Sequence, residues 1–198
     1  MNLKKKPDIW ICDLTHTEQG IVSRTFPLGA SCVFTYAKKE LDNEFNFRLF
    51  KFPSTLNEKL RKKSPAMLCF SNYKWNFELS YKFATLSKQR DPNLITVWGG
   101  PNFPIDLNEK IEFLKKWPAI DFSIELEGEL GFVDLVKQLS ECNFNAHTLK
   151  KNGKKIINTC YLNKDHLISG PIDRIKNVNV IPSPYLNGTM DEFFDQPL

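Results

Sequence analysis

Three short polar stretches of this sequence carry the residue types that could bind a ligand. Residues 13–20 contain two carboxylates and a histidine, residues 71–76 combine polar with aromatic side chains, and residues 99–101 are a glycine pair followed by proline. A loop histidine can ligate a metal ion or bond to polar neighbours. Aromatic rings offer flat apolar area, and glycines let backbone N–H groups approach a bulky or anionic group. These residues indicate a binding cleft for a small nucleotide or for a much larger flat cofactor.

Each polar stretch directly follows an apolar run with the character of a buried strand. The runs are residues 9–12, 66–70 and 94–98. Continuous apolar strands are typical of parallel sheets that helices cover on both faces, and such sheets bind ligands beyond the carboxyl ends of their strands. We therefore expect the three polar stretches to meet at one edge of the sheet.

Five strand–helix units in succession predict a flavodoxin-like (Rossmann-like) α/β fold. Residues 45–50 and 121–126 alternate apolar with polar side chains, which indicates two edge strands. The prediction is a five-stranded parallel sheet of order 2-1-3-4-5. Right-handed crossovers then place the exits of strands one, three and four side by side, with Glu127-Gly128-Glu129 beyond them.

The character of the sequence changes after about Ser140, where asparagine, lysine and short apolar pieces replace the strand–helix pattern. We expect residues 1–141 to form the α/β domain. Residues 142–198 are expected to form a small β-hairpin and a Pro-rich linker towards a catalytic domain outside this chain. Within the linker, Pro182 and Pro184 exclude regular structure because each removes a backbone donor and biases its neighbour towards extended conformations.

The composition favours a cytoplasmic protein. The 198 residues are ample for one core, and the net charge of +4 is spread along the chain apart from two short lysine runs. No stretch has the length of a membrane span or the features of a secretion signal. The five cysteines show no metal-ligand spacing, which is typical of reduced structural thiols. We expect neither a membrane nor a nucleic acid as partner.

Two flavodoxin-like classes do not fit these residues. A phosphorelay receiver domain needs an aspartate after strand three and a lysine after strand five, where this sequence has Ser71 and Glu127. A flavodoxin needs a phosphate loop rich in serine, threonine and glycine after strand one, and a single glycine there does not make one.

Six motifs, in order along the chain, resemble the N-terminal cobalamin-binding domain of cobalamin-dependent radical SAM proteins: residues 13–17, 26–29, 71–76, 99–101, 127–129 and 182–186. The resemblance extends from about Asp8 to Phe194. It implies a corrinoid across the carboxyl ends of the strands, facing the loop after strand one, with its nucleotide tail flanked by residues 71–76 and passing the glycine pair. The cofactor-binding residues that it implies are Leu14, Thr15, His16, Gln19, Ser71, Asn72, Tyr73, Trp75, Asn76, Gly99, Gly100, Pro101, Glu127 and Gly128.

Two departures from related patterns limit what the resemblance implies. Cobalamin domains of the methionine synthase type hold cobalt through the histidine of Asp-x-His-x-x-Gly, whereas Asp13, His16 and Gly20 are spaced more widely, so His16 is not expected to bind cobalt. A radical SAM domain holds a 4Fe-4S cluster through Cys-x-x-x-Cys-x-x-Cys, which these 198 residues do not contain. We therefore expect no metal ligand and no catalytic residue in this chain. S-adenosylmethionine and the cluster are expected only if a downstream domain exists.

Three functions remain open from the sequence. The first is a cobalamin-binding module of a radical SAM-type enzyme, which does not catalyse a reaction alone and has a radical SAM domain in cis or in trans as its partner. The second is a flavodoxin-like interaction domain without a ligand. The third is a binder of a small nucleotide or a flavin. The resemblance favours the first.

Overall fold

Strands and helices alternate along most of the chain, as the apolar runs predict. The computed structural model describes residues 6–16, 26–41 and 44–194. Within this part, the strands are β1 (Asp8–Cys12), β2 (Asn46–Phe50), β3 (Met67–Ser71), β4 (Ile95–Gly99), β5 (Phe122–Ile124), β6 (Thr159–Asn163) and β7 (His166–Ser169). The α-helices are α1 (Leu28–Glu40), α2 (Pro53–Lys62), α3 (Phe77–Arg90), α4 (Leu107–Lys116), α5 (Gly128–Glu141), α6 (Ala146–Lys151) and α7 (Asp191–Phe194).

The described strands form one sheet of order β2-β1-β3-β4-β5-β6-β7. The first five strands in this order are parallel, which confirms the predicted flavodoxin-like topology. All of β1 and nearly all of β3 and β4 are buried because helices cover both faces of the sheet. Strand β2 pairs only with β1 within the described chain and is partly exposed, so the prediction of an edge at this position is confirmed.

The prediction that the fifth strand forms the other edge is wrong. Strand β5 is buried along its length and pairs with β6, which together with β7 forms an antiparallel hairpin that extends the sheet. The polar positions that suggested an exposed face, Asp121 and Glu125, are instead paired with lysines: Lys88 and Lys150 contact Asp121, and Lys110 contacts Glu125. The alternation of residues 121–126 therefore reflects satisfied carboxylates beside a covered strand.

Two apolar layers enclose the sheet. One face packs against α1, α5 and α6 through side chains such as Phe34, Leu135 and Leu149. The other face packs against α2, α3 and α4. Because neighbouring residues of a strand point to opposite faces, the same strand contributes to both layers, as Ile11 and Cys12 do.

The segment after β7 packs along the outside of α1. Thr35 donates its hydroxyl to the carbonyl of Pro182 at 2.9 Å, and Lys39 donates to the carbonyl of Val180 at 2.9 Å. Met190 and Phe193 are buried in the layer that contains α1. Residues 181–186 form neither helix nor strand, as their two prolines predict. The segment is thus held against the domain by specific contacts.

Candidate functional site at the carboxyl ends of the strands

A cavity of about 590 Å³ opens at the carboxyl ends of β3, β4 and β5 and extends between the sheet and helices α1 and α5. We call it the exit cavity. This position agrees with the rule that parallel α/β sheets bind ligands beyond the carboxyl ends of their strands. Half of the fourteen predicted cofactor-binding residues line it: Ser71, Tyr73, Gly99, Gly100, Pro101, Glu127 and Gly128.

The remaining predicted residues lie outside the lining. Leu14 and Thr15 are buried in the protein, and Leu14 belongs to the apolar layer on the opposite side of the sheet. Asn72 and Asn76 are buried and act as supports, as described below. His16 and Trp75 lie at the surface of the neighbouring loops. Gln19 is outside the described residues.

A hydrogen-bonded group joins the exits of β1 and β3. Ser71 donates its hydroxyl to Oδ1 of Asp13, and Asn76 donates Nδ2–H to the Ser71 hydroxyl at 2.9 Å. Oδ1 of Asn76 accepts the backbone N–H of Tyr73 at 3.0 Å, which closes the turn. Burial raises the pKa of the Asp13 carboxyl, while the hydrogen bond from Ser71 and the charge of Lys51 oppose the rise. These contacts fix the orientation of the Ser71 hydroxyl and of the loop that carries Tyr73.

Gly99 ends β4 and Gly100 follows it, and only one of the two glycines is required by the fold. Gly100 has φ +140°, and a Cβ there would stand 2.8 Å from the carbonyl oxygen of Asn72, so the close approach of two loops requires glycine. The Asn72 backbone also bonds to Gly99 and Asn102, which holds those loops together. A Cβ on Gly99, in contrast, would find Ile124 at an ordinary 3.8 Å. The fold itself therefore does not demand glycine at position 99.

The loop after β3 stacks two aromatic rings. Tyr73 and Trp75 lie parallel with centroids 5.7 Å apart, and Trp75 is 50% exposed. His16 donates Nε2–H to the Trp75 carbonyl at 2.9 Å, which ties the loops after β1 and β3 together. Nε2 of His16 is thereby occupied, and the prediction that His16 does not bind cobalt stays a prediction.

The segment from the end of β5 to the first turn of α5 brings acidic side chains to the cavity. Glu125, Glu127 and Glu129 all contribute to the lining, and no lysine, arginine or histidine of the described residues does. Glu125 is paired with Lys110 and Glu127 with Arg174. Burial raises the pKa of Glu129, and the charge of Glu127 adds to the rise. The described lining therefore offers no basic side chain to an anionic group.

The apolar wall of the cavity was missed by the sequence analysis. The strands contribute Ile11, Cys69, Val97 and Ile124, all on the face that packs against α1 and α5. The helices contribute Val33 and Phe132, together with the small residues Gly29 and Ala30 at the start of α1. A second apolar group follows β4 and consists of Phe103, Pro104 and Ile105. For the strand residues, alternate positions along adjacent strands could have placed these side chains on one face of the sheet. A core face and a cavity wall nevertheless have the same sequence pattern, so that signal would not have separated the two.

The described residues contain no group of three or more His, Cys, Asp or Glu side chains arranged to hold a metal ion. Among the helices of the same part of the chain, none is both long and apolar enough to cross a membrane.

In comparisons with known proteins, this chain is similar to part of two methyltransferases. The 2-(S-pantetheinyl)-carbapenam-3-carboxylate methyltransferase of Streptantibioticus cattleyicolor is 27% identical over 171 residues, which are 83% of this chain and 24% of that protein. The cobalamin-dependent radical SAM methyltransferase TokK of Streptomyces tokunonensis is 31% identical over 128 residues, which are 64% of this chain and 17% of TokK. No family model matches the chain.

The fold comparison leads to the same group of proteins. The structure of OxsB, a cobalamin-dependent S-adenosylmethionine radical enzyme with aqua-cobalamin and S-adenosylmethionine bound, covers 94% of this chain at a TM-score of 0.66 and 16% identity. The apo form of OxsB gives a TM-score of 0.64. This chain spans about a quarter or less of the length of these proteins. The resemblance inferred from the sequence is therefore confirmed: the chain is similar to one part of cobalamin-dependent radical SAM enzymes.

Proposed function

We propose that this chain binds cobalamin as one module of a cobalamin-dependent radical SAM-type enzyme and does not catalyse a reaction alone. The observation that carries the proposal is the exit cavity: it lies at the carboxyl ends of the strands, extends between the sheet and α1/α5, and has an open glycine, Gly99, on its floor. TokK and OxsB, which are similar to this chain, are themselves cobalamin-dependent enzymes.

The nucleotide tail of cobalamin is the part that enters the exit cavity. The aromatic base and the sugar of the tail suit a wall of Val97, Ile124 and Phe132. At Gly99 the missing side chain leaves room for the tail beside the strand. Ser71 and Tyr73 flank the opening, where they orient the tail.

The corrin ring lies outside the cavity, across the loops that follow the strands. Ile105 and Leu126 belong to the lining and are nevertheless 93% and 61% exposed, so they offer apolar area at the opening. Trp75 adds a half-exposed aromatic ring on the adjacent loop. Covering these side chains with a flat ring removes apolar surface from water, which favours binding.

Bound cobalamin supplies the chemistry, either by carrying a methyl group or by transferring an electron, while the protein provides position and electrostatics. This chain contributes no Cys-x-x-x-Cys-x-x-Cys motif. Cleavage of S-adenosylmethionine therefore depends on a radical SAM domain with its 4Fe-4S cluster, in cis or in trans, which we propose as the partner.

The lining offers little to the phosphates of a small nucleotide or a flavin nucleotide. Such ligands carry terminal phosphates with two or more negative charges, which need donors or positive charge around them. No lysine, arginine or histidine of the described residues lines the cavity. The nucleotide tail of cobalamin carries a single phosphodiester charge, so it depends less on such groups.

The test is to mix the purified protein with hydroxocobalamin, and in parallel with FMN and with ATP, and to remove free ligand on a desalting column. We expect the visible spectrum of a corrinoid in the protein fraction and no retained FMN or ATP. Retention of FMN or ATP without corrinoid would favour a nucleotide binder. Retention of none of the three, with no change in the melting temperature, would favour an interaction domain without a ligand.

A further inference from the structure

Glu127 has a carboxylate oxygen that the fold leaves without a partner. Its Oε1 accepts a hydrogen bond from Nε of Arg174. Its Oε2 is buried, and no group among the described residues donates to it. A buried acceptor without a donor costs free energy, and each such case in a native structure calls for a partner such as a bound water or a ligand group. Glu127 lines the exit cavity and its side chain is 24% exposed, so a rotation of its carboxylate brings Oε2 within reach of a ligand there.

The backbone around Glu127 holds its side chain in place for this role. The residue is the N-cap of α5, yet its side chain makes no capping hydrogen bond, so the carboxylate is not needed by the helix. Asn158 donates to the Glu127 carbonyl at 3.3 Å and anchors the turn from behind. Leu126, just before it, has φ +54°, a left-handed conformation that is unfavourable for a residue with a Cβ. The turn before α5 therefore has a specific backbone conformation, which fixes the position of Glu127.

The hydrogen-bonding character of the surrounding lining identifies the kind of ligand group. The Ser71 hydroxyl gives its proton to Asp13 and can only accept a further bond. Glu125 is paired with Lys110, and Glu129 adds another carboxyl. Apart from the Tyr73 hydroxyl, the polar side chains of the lining are thus mainly acceptors, and they match a neutral ligand group that donates, such as a sugar hydroxyl.

We propose that Glu127 is a specificity-determining residue that accepts a hydrogen bond through Oε2 from a sugar hydroxyl of the ligand. The inference rests on the proposed function, because in cobalamin the group of this chemistry is the ribose of the nucleotide tail. Cobinamide, which has the same corrin ring but lacks the nucleotide, cannot make the bond. Glu127 therefore favours complete cobalamin over cobinamide.

The experiment compares dissociation constants for hydroxocobalamin and for aquacobinamide in the wild-type protein and in three variants. Glu127→Ala should weaken cobalamin binding by about tenfold, which corresponds to about 1.4 kcal/mol. Its cobinamide affinity should change by less than about twofold, which is the scatter expected of a site that has lost no contact. Glu127→Gln keeps an acceptor oxygen without the charge and should lie between wild type and Glu127→Ala.

Arg174→Ala is the matched control, because it removes the other partner of Glu127 while leaving Oε2 in place. The Arg174 side chain is 66% exposed, so its loss should change cobalamin affinity by less than about threefold. If Glu127→Ala weakens both corrinoids equally, or if Arg174→Ala reproduces its effect, Glu127 has only a structural role and the inference is wrong.

Two further outcomes separate this inference from the proposed function. Wild-type protein that binds cobalamin and cobinamide equally would overturn the role of Glu127 and leave corrinoid binding intact. Wild-type protein that binds neither would overturn the proposed function, and the inference with it. The melting temperature of each variant shows whether it is folded. If Glu127→Ala does not fold, the isosteric Glu127→Gln takes its place, and the comparison of its cobalamin affinity with its cobinamide affinity decides.

Discussion

Substitution of the two adjacent glycines at the end of β4, Gly99 and Gly100, should separate a ligand contact from a structural requirement. In Gly99→Ala the new methyl group meets no protein atom closer than 3.8 Å, so the strand accepts it. Alanine in place of glycine within a regular element is worth about 0.5–1 kcal/mol in favour of folding. We therefore expect apo Gly99→Ala to be as stable as wild type or slightly more stable.

The same methyl group occupies the space beside the strand that we assign to the nucleotide tail. Forcing an additional methyl into a filled site costs about 1–3 kcal/mol, so cobalamin should bind about 5- to 150-fold more weakly. At a concentration one hundred times its wild-type dissociation constant, cobalamin stabilises the wild-type protein by about 2.7 kcal/mol and a tenfold weaker variant by about 1.4 kcal/mol. For a chain of this size the melting temperature should rise by about 5–10 °C in wild type and by half as much in Gly99→Ala.

Gly100→Ala is the matched control for stability. Its φ of +140° and the 2.8 Å approach of its Cβ to the Asn72 carbonyl predict a loss of about 1–3 kcal/mol in the apo protein. Differential scanning fluorimetry with and without hydroxocobalamin measures both effects. If Gly99→Ala and the bulkier Gly99→Leu both bind cobalamin with the affinity of the wild-type protein, the placement of the tail is refuted. Equal stability losses in Gly99→Ala and Gly100→Ala would refute the structural distinction between the two glycines.

Three further substitutions test the site and its support. Asp121→Asn should lose about 2–4 kcal/mol in urea denaturation because it leaves Lys88 and Lys150 without their shared partner. Although burial acts to raise it, the two lysines hold the pKa of Asp121 below its ordinary value. The stability that this carboxylate contributes is therefore present above the ordinary pKa and is lost as the pH falls through the lowered one; a variant that keeps the acid dependence of wild type would contradict this. Asn76→Ala should cost about 2–3 kcal/mol by the same assay, because a fully buried amide with three hydrogen bonds is removed; a loss below about 1 kcal/mol would contradict its role as a support. His16→Ala should leave the visible spectrum of bound hydroxocobalamin unshifted, since its Nε2 is engaged by a backbone carbonyl, and a shifted spectrum would identify it as a cobalt ligand.

The parallel part of the fold could be predicted because its determinants are local. Apolar runs that end at polar or glycine-rich stretches specify both the strands and the side of the sheet on which their exits meet. The edge at β5 could not be predicted, because the partners of its polar residues are distant in sequence. Asp121 bonds to Lys88 and Lys150, 33 and 29 residues away, and a buried ion pair gives the same alternation as an exposed face.

The site was predicted in part for a similar reason. Residues at the strand ends, such as Ser71 and Glu127, are recognisable because polar groups and glycines interrupt an apolar pattern. Ile124 and Phe132 have the pattern of ordinary core residues. Only the distance between sheet and helix determines whether such a side chain faces a neighbour or a cavity, and that distance is a property of the assembled fold. Leu14 illustrates the converse, because it lies in the predicted loop but points into the core.

The number of hydroxocobalamin molecules that the protein binds at saturation tests corrinoid binding most directly. Equilibrium dialysis of the purified chain against a hydroxocobalamin series, with Gly99→Leu dialysed in parallel, should give one equivalent per wild-type chain and strongly reduced binding to the variant. A wild-type chain that binds no hydroxocobalamin above the level of an unrelated protein would contradict the proposal that the exit cavity is a cobalamin site.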